Sequence, residues 1–144
     1  MITKPFDSSL HHKYDQFGRD KVIQYLSNKY RIDIRNNPNI YGVDLIAYRF
    51  NQPVGYIEVE VRESWNADQF PFTTLHIPFR KKKLLENDLK TLLISVNAKG
   101  NRAFLCEDHI ILSSPVKKIS NKYILNDEMF YDVDIKQIKL LKIA

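Results

Sequence analysis

Cysteine occurs once in this chain, at Cys106, so an internal disulfide is excluded, and neither a CxxC pair nor a Cys/His cluster with zinc-ligand spacing is present. No apolar run approaches the ~18 residues needed to span a bilayer, and the opening segment Met1 to His12 lacks the apolar stretch of a signal peptide. These absences lead us to expect a soluble cytoplasmic protein in a reducing compartment, with no membrane partner. Internal repeats and low-complexity tracts are missing too. The four histidines, His11, His12, His76 and His109, include no pair at helical ligand spacing. They are read as structural or surface residues, with His76 a remote candidate base.

What is present is enough for one compact domain. The 144 residues are 44% hydrophobic and 27% charged, which suits a folded chain with one core and gives no sign of wholesale disorder. A formal charge of +5 favours a polyanionic partner. A single domain over 1–144 is therefore expected, with 1–14 as a loosely held lead-in and 107–144 as a β-rich C-terminal extension.

Along the chain, Phe17, Val22, Ile23, Tyr25, Leu26 and Tyr30 recur at helical spacing, with Asp15 placed to cap the helix. Ile32 and Ile34 alternate with charged neighbours as a short strand, which runs into the turn-rich Asn36-Asn37-Pro38-Asn39. Residues 43–50 and 54–61 read as two strands joined by a hairpin at Asn51-Gln52-Pro53. Residues 63–78 form a long loop or flap with a strand at about 72–77. A second helix is expected over 79–89 and a buried strand over 91–96. After a turn at 97–101 come a short strand over 103–106 and β-like stretches at 122–125 and 130–140. The crossover through the second helix has to return to a parallel strand, so the fold class is α/β, with a central mixed sheet flanked by helices.

The chemistry concentrates in Tyr56-Ile57-Glu58-Val59-Glu60-Val61-Arg62. Strand alternation sends Ile57, Val59 and Val61 to one face and Glu58, Glu60 and Arg62 to the other. Two like charges on one face of an otherwise apolar strand call for a compensating cation. Asp44, across the hairpin and following Gly42, can join them. Such hard oxygen ligands suit Mg²⁺, with Mn²⁺ able to substitute, and imply phosphoryl transfer to water. The bland alternative is a hairpin edge whose acids pair with Arg49 and Arg62.

Gly42-Val43-Asp44 followed by Ile57-Glu58-Val59-Glu60, in an αβββαβ order, resembles the PD-(D/E)XK nuclease superfamily over roughly residues 15–106. The resemblance implies a restriction-endonuclease-like core with Asp44 and Glu58 as metal ligands. Glu60 stands where a lysine is usual, a variant that some restriction endonucleases of the superfamily carry, and Val43 replaces the motif's proline. Gly18-Arg19-Asp20 is similar to the helical acid of archaeal Holliday-junction resolvases, which makes Asp20 a further candidate ligand. The displaced lysine is expected at Lys82 or Lys83, on the second helix. Four consecutive cations, Arg80, Lys81, Lys82 and Lys83, lie near that helix's start, against the macrodipole preference, and with Arg62 they suggest an external phosphate. Lys117, Lys118 and Lys122 form a second basic cluster. Trp65, Phe70 and Phe72 are expected in the core or an interface, and Cys106 in the core.

The expected activity is thus Mg²⁺-dependent hydrolysis of DNA by a homodimer, with branched DNA the preferred substrate and RNA left open. The rival is a non-catalytic nucleic-acid-binding or assembly protein that keeps the nuclease fold.

Overall fold

A computed structural model describes residues 8–119 and 128–144. Helix α1 (Ser8–Tyr30) places Gly18, Val22 and Leu26 on one buried stripe, the i, i+4, i+8 spacing of a single helix face. It ends at Arg31, whose left-handed backbone (φ 52°) turns its N–H back to the Ser27 carbonyl at 3.2 Å. The helix begins well before the expected start, so residues 8–14 are helical rather than a loose lead-in, and Asp15 lies inside the helix instead of capping it.

Strands β1 (Asp33–Asn36), β2 (Leu45–Arg49) and β3 (Gln52–Arg62) follow as an antiparallel meander. The β2–β3 turn uses Phe50 and Asn51, both at positive φ (51° and 65°), the twist that suits a two-residue hairpin. After β4 (Thr74–Pro78), a 3-10 turn over Phe79–Lys81 and helix α2 (Lys82–Leu85) lead to β5 (Thr91–Asn97), which runs parallel to β3 with Glu58 opposite Leu93 and Glu60 opposite Ser95. Then come β6 (Arg102–Glu107), α3 (Asp108–Leu112), β7 (Val116–Ile119), β8 (Glu128–Asp134) and β9 (Lys139–Lys142). The result is an α/β fold with a six-stranded mixed sheet, ordered β1-β2-β3-β5-β6-β9, and a three-stranded antiparallel sheet, β4-β8-β7.

Two cores lie on opposite faces of the large sheet. On one, α1 packs Val22 and Leu26 against Ile57, Val59, Ile94 and Val96. On the other, Trp65, Leu75, Ile77, Leu93, Phe104 and Tyr131 join the small sheet and the short helices to it. β3 sends alternate residues into each layer, and its polar face opens beside the second core.

Several expectations change. The helix expected over 79–89 is only a 3-10 turn and one α-turn, because the Asn87 amide donates to the Leu84 carbonyl (2.6 Å) and to the Thr91 hydroxyl (2.9 Å), tying off the helix and starting β5. The 130–140 stretch divides between two sheets, separated by a 3-10 turn at Ile135–Gln137 whose Lys136 N–H is capped by Asp134. The stretch around 122–125 lies outside the described residues, and neither α3 nor β7 was anticipated. Trp65 is fully buried, stacked on Phe104 at 5.3 Å, and Cys106 is fully buried, as expected, with burial pushing its thiol up to about 12. Phe72 is instead exposed.

Gly18 brings α1 close to β3. A Cβ there would meet Val61 Cγ2 at 2.8 Å and Val59 Cγ1 at 3.1 Å, and β-branched neighbours have little freedom to give. Gly18→Ala gains about 1 kcal/mol of helix propensity, but overpacking typically costs about 1–3 kcal/mol. A net loss of about 1 kcal/mol is expected in urea denaturation, and a stabilised variant would show that α1 is free to move off the sheet.

Candidate active site

The site forms where β2 begins beside the middle of β3. Asp44 occupies the bend that opens β2, and its Oδ2 accepts a hydrogen bond from the Val59 backbone N–H at 2.8 Å. In return the Asp44 backbone N–H donates to Glu58 Oε1 at 3.3 Å. Each carboxylate is thus held by a backbone N–H across the hairpin, Asp44 by that of Val59 and Glu58 by that of Asp44. Arg19 on α1 approaches Asp44 Oδ1 at 4.0 Å.

Glu58 is 5% exposed, and its other oxygen is met by Lys81 Nζ at 2.6 Å. Removal from water raises its pKa to about 7; Lys81 opposes the rise and Asp44 adds to it. Lys81 reaches inward because Pro78 closes β4 and the following 3-10 turn sends successive side chains in different directions. Arg80 points out instead, to Glu128 at 3.1 Å, and Lys82 lies over the Phe79 ring at 5.7 Å. The cation at the acidic pair is therefore Lys81, and not Lys82 or the exposed Lys83.

Glu60 is engaged separately. Its Oε1 accepts from the Ser95 hydroxyl and pairs with Arg62 Nη2, each at 2.8 Å, while Arg62 Nε donates to Ser95 Oγ at 2.8 Å. Arg62 also donates to the His76 carbonyl. The pairing of Glu60 with Arg62 is the part of the bland alternative that the fold contains. Asp20 is exposed on α1 and accepts from the Gln16 amide at 2.8 Å. Among the described residues, no three His, Cys, Asp or Glu side chains converge as a metal-ligand group.

Asp44, Glu58, Glu60, Arg80 and Lys81 line a cleft of about 450 Å³, with Tyr41 at its rim. Two adjacent hard carboxylates, one buried and raised in pKa, fit a divalent cation that takes its remaining ligands from water and substrate oxygens. His76 sits on the small sheet 3.3 Å from Asp132, its ring packed on Phe130. Asp132 is held below the usual carboxylate range by hydrogen bonds from Lys117 and Thr74. Of the second basic cluster, Lys117 pairs with that aspartate at 2.8 Å, Lys118 is exposed, and Lys122 lies outside the described residues.

Two residues of this arrangement escaped the sequence reading in their roles. Lys81 was placed only in a phosphate-binding run, and Ser95 not at all. The parallel β3–β5 register that puts Ser95 beside Glu60 could have pointed to it.

The site defines a class, an α/β domain with a paired-carboxylate and lysine cleft on inner strands of a mixed sheet. No known family model matches the chain, and no curated protein or solved structure matches it either. Among the described residues, no helix is long and apolar enough to cross a membrane.

Proposed function

We propose that this protein is a divalent-metal-dependent endonuclease acting on DNA, with the active site at Asp44, Glu58 and Lys81. The observation that carries the reading is the Asp44–Glu58 pair, held by the Val59 N–H on Asp44 and the Asp44 N–H on Glu58 and met by Lys81 at 2.6 Å in an open cleft. Support comes from the element order: a helix, a three-strand meander, then β4 and the short α2 leading to a strand parallel to β3, which apart from β4 is similar to the αβββαβ order of PD-(D/E)XK nucleases.

In this reading Asp44 and Glu58 hold Mg²⁺, or Mn²⁺ in its place, which supplies Lewis-acid stabilisation of phosphate charge and an acidified water. Lys81 stands in for the lysine that Glu60 displaces. Its ammonium neutralises the buried Glu58 and would add positive charge at the scissile phosphate. Glu60 acts through Arg62, fixing its guanidinium with the help of Ser95. Asp20, exposed and bonded to Gln16, is a reserve ligand at most. Arg80, which lines the cleft, supplies a phosphate contact there. A two-fold homodimer would set two such clefts against the two strands of a duplex or branched substrate.

The test is incubation of supercoiled, single-stranded and four-way-junction DNA, and RNA, with Mg²⁺ or Mn²⁺ and with EDTA. Cleavage that needs metal is the expected result. Salt-sensitive binding with no cleavage of any substrate would instead establish a non-catalytic nucleic-acid-binding protein.

A further inference from the structure

The loop before Asp44 combines two features that oppose each other energetically. It is tightly braced: Asn37 N–H donates to the Asp44 carbonyl at 2.9 Å and its side-chain amide to the Val43 carbonyl at 2.9 Å. The Asn39 N–H donates to Asn37 Oδ1 and the Tyr41 N–H to Asn39 Oδ1, each at 3.0 Å, and the Gly42 N–H donates to the Asn39 carbonyl at 3.1 Å. Gly42 is part of the brace, since a Cβ there would stand 2.8 Å from Asn37 Nδ2. Yet the tip of this loop exposes Ile40 at 84% and Tyr41 at 87%. Ordering a loop costs conformational entropy, and holding two large apolar side chains in water gains nothing from burial. An apolar, planar ligand group would give the arrangement a purpose.

The surroundings specify that group. Ile40 and Tyr41 line the same cleft as Arg80, Lys81, Asp44 and Glu58. Cations and an aromatic tip in one cleft match the two parts of a nucleotide, its phosphate and its base. Because Tyr41 and Asp44 line one cleft, a base stacked on Tyr41 lies near the scissile phosphate in this reading. A base inside a continuous duplex stack cannot offer its face to a side chain.

Resting on the nuclease reading of the same cleft, we propose that the Ile40–Tyr41 tip is a stacking platform. It selects DNA carrying an unpaired base beside the cleavage point, as at a bulge, a mismatch or a branch.

The experiment uses the full chain and two DNA duplexes that differ only in one unpaired 2-aminopurine, together with the RNA equivalents. Anisotropy is read in EDTA, where no cleavage occurs, and cleavage is read in Mg²⁺. Wild type is expected to prefer the bulged DNA and to quench its 2-aminopurine. Tyr41→Ala should reduce that preference by about 5- to 150-fold, the range for one base–aromatic stack, and abolish the quench, whereas Tyr41→Phe should keep both. With Tyr41 so exposed, the substitution does not threaten folding. Equal affinity of wild type for the two duplexes or an unchanged preference in Tyr41→Ala would overturn the platform, and tighter binding of the RNA bulge would overturn its selection of DNA. Quenching without cleavage on any substrate supports the platform and overturns the nuclease reading alone.

Discussion

Asp44→Ala and Glu58→Ala are each expected to lower Mg²⁺-dependent DNA cleavage about 1,000-fold or more, the several kcal/mol of charge stabilisation a bound metal supplies. Two carboxylates are a minimal anchor, so the loss of either leaves the ion with one protein charge. Lys81→Ala should cost about 100-fold or more, as for loss of a positioned proton-transfer or charge-stabilising group, while Lys82→Ala should leave cleavage within a few-fold of wild type, because Lys82 lies over Phe79 and outside the acidic pair. Cleavage rates at saturating DNA, with the fold checked by circular dichroism, decide the matter. Equal damage from Lys81→Ala and Lys82→Ala would show that both act as phosphate contacts. Full activity in Asp44→Ala would place the chemistry elsewhere.

The second large effect is on stability. Glu58 in the folded chain titrates at about 7, against 4.5 for a free glutamate, chiefly because it is buried. The native state therefore holds a proton that the unfolded chain has already lost between those two values. The stabilising contribution of the protonated form is complete below about pH 4.5 and fades as pH rises towards about 7. Above that the buried charge costs about 3 kcal/mol, a figure that already includes the attraction of Lys81. Glu58→Gln, which mimics the protonated acid, should match wild type in urea denaturation at pH 4.5 and exceed it at pH 8. A variant less stable than wild type at pH 8 would mean that the Lys81 ion pair outweighs the burial. Metal reports on the same charge. At pH 8, Mg²⁺ at about 100 times its dissociation constant should stabilise wild type by about 2.7 kcal/mol and Glu58→Gln far less, and EDTA should reverse the gain. This readout needs no DNA.

Much of the site was legible because strands and hairpins obey short-range rules. Alternation in β3 places Glu58, Glu60 and Arg62 on one face whatever the rest of the chain does, and the Asn51 region marks a hairpin that brings β2 alongside. The helical stripe through Val22 and Leu26 was equally plain. The short crossover was not, since the length of α2 depends on Asn87 bonding to both Leu84 and Thr91, a choice between competing local hydrogen bonds. The small sheet was invisible for a related reason, as β4 and β8 meet across more than fifty residues of chain.

The acidic trio shows the division most clearly. Sequence alone placed Glu58 and Glu60 on one face of β3 and Asp44 across the hairpin from them, because pleat and hairpin are local geometry. Tertiary structure decided that they are not equivalent. Ser95 reaches Glu60 only because β5 pairs in parallel with β3, and Lys81 reaches Glu58 only because a 3-10 turn over the second core aims it inward. Those contacts join residues 23 and 35 positions apart, so their partners are set by packing, which no local pattern encodes.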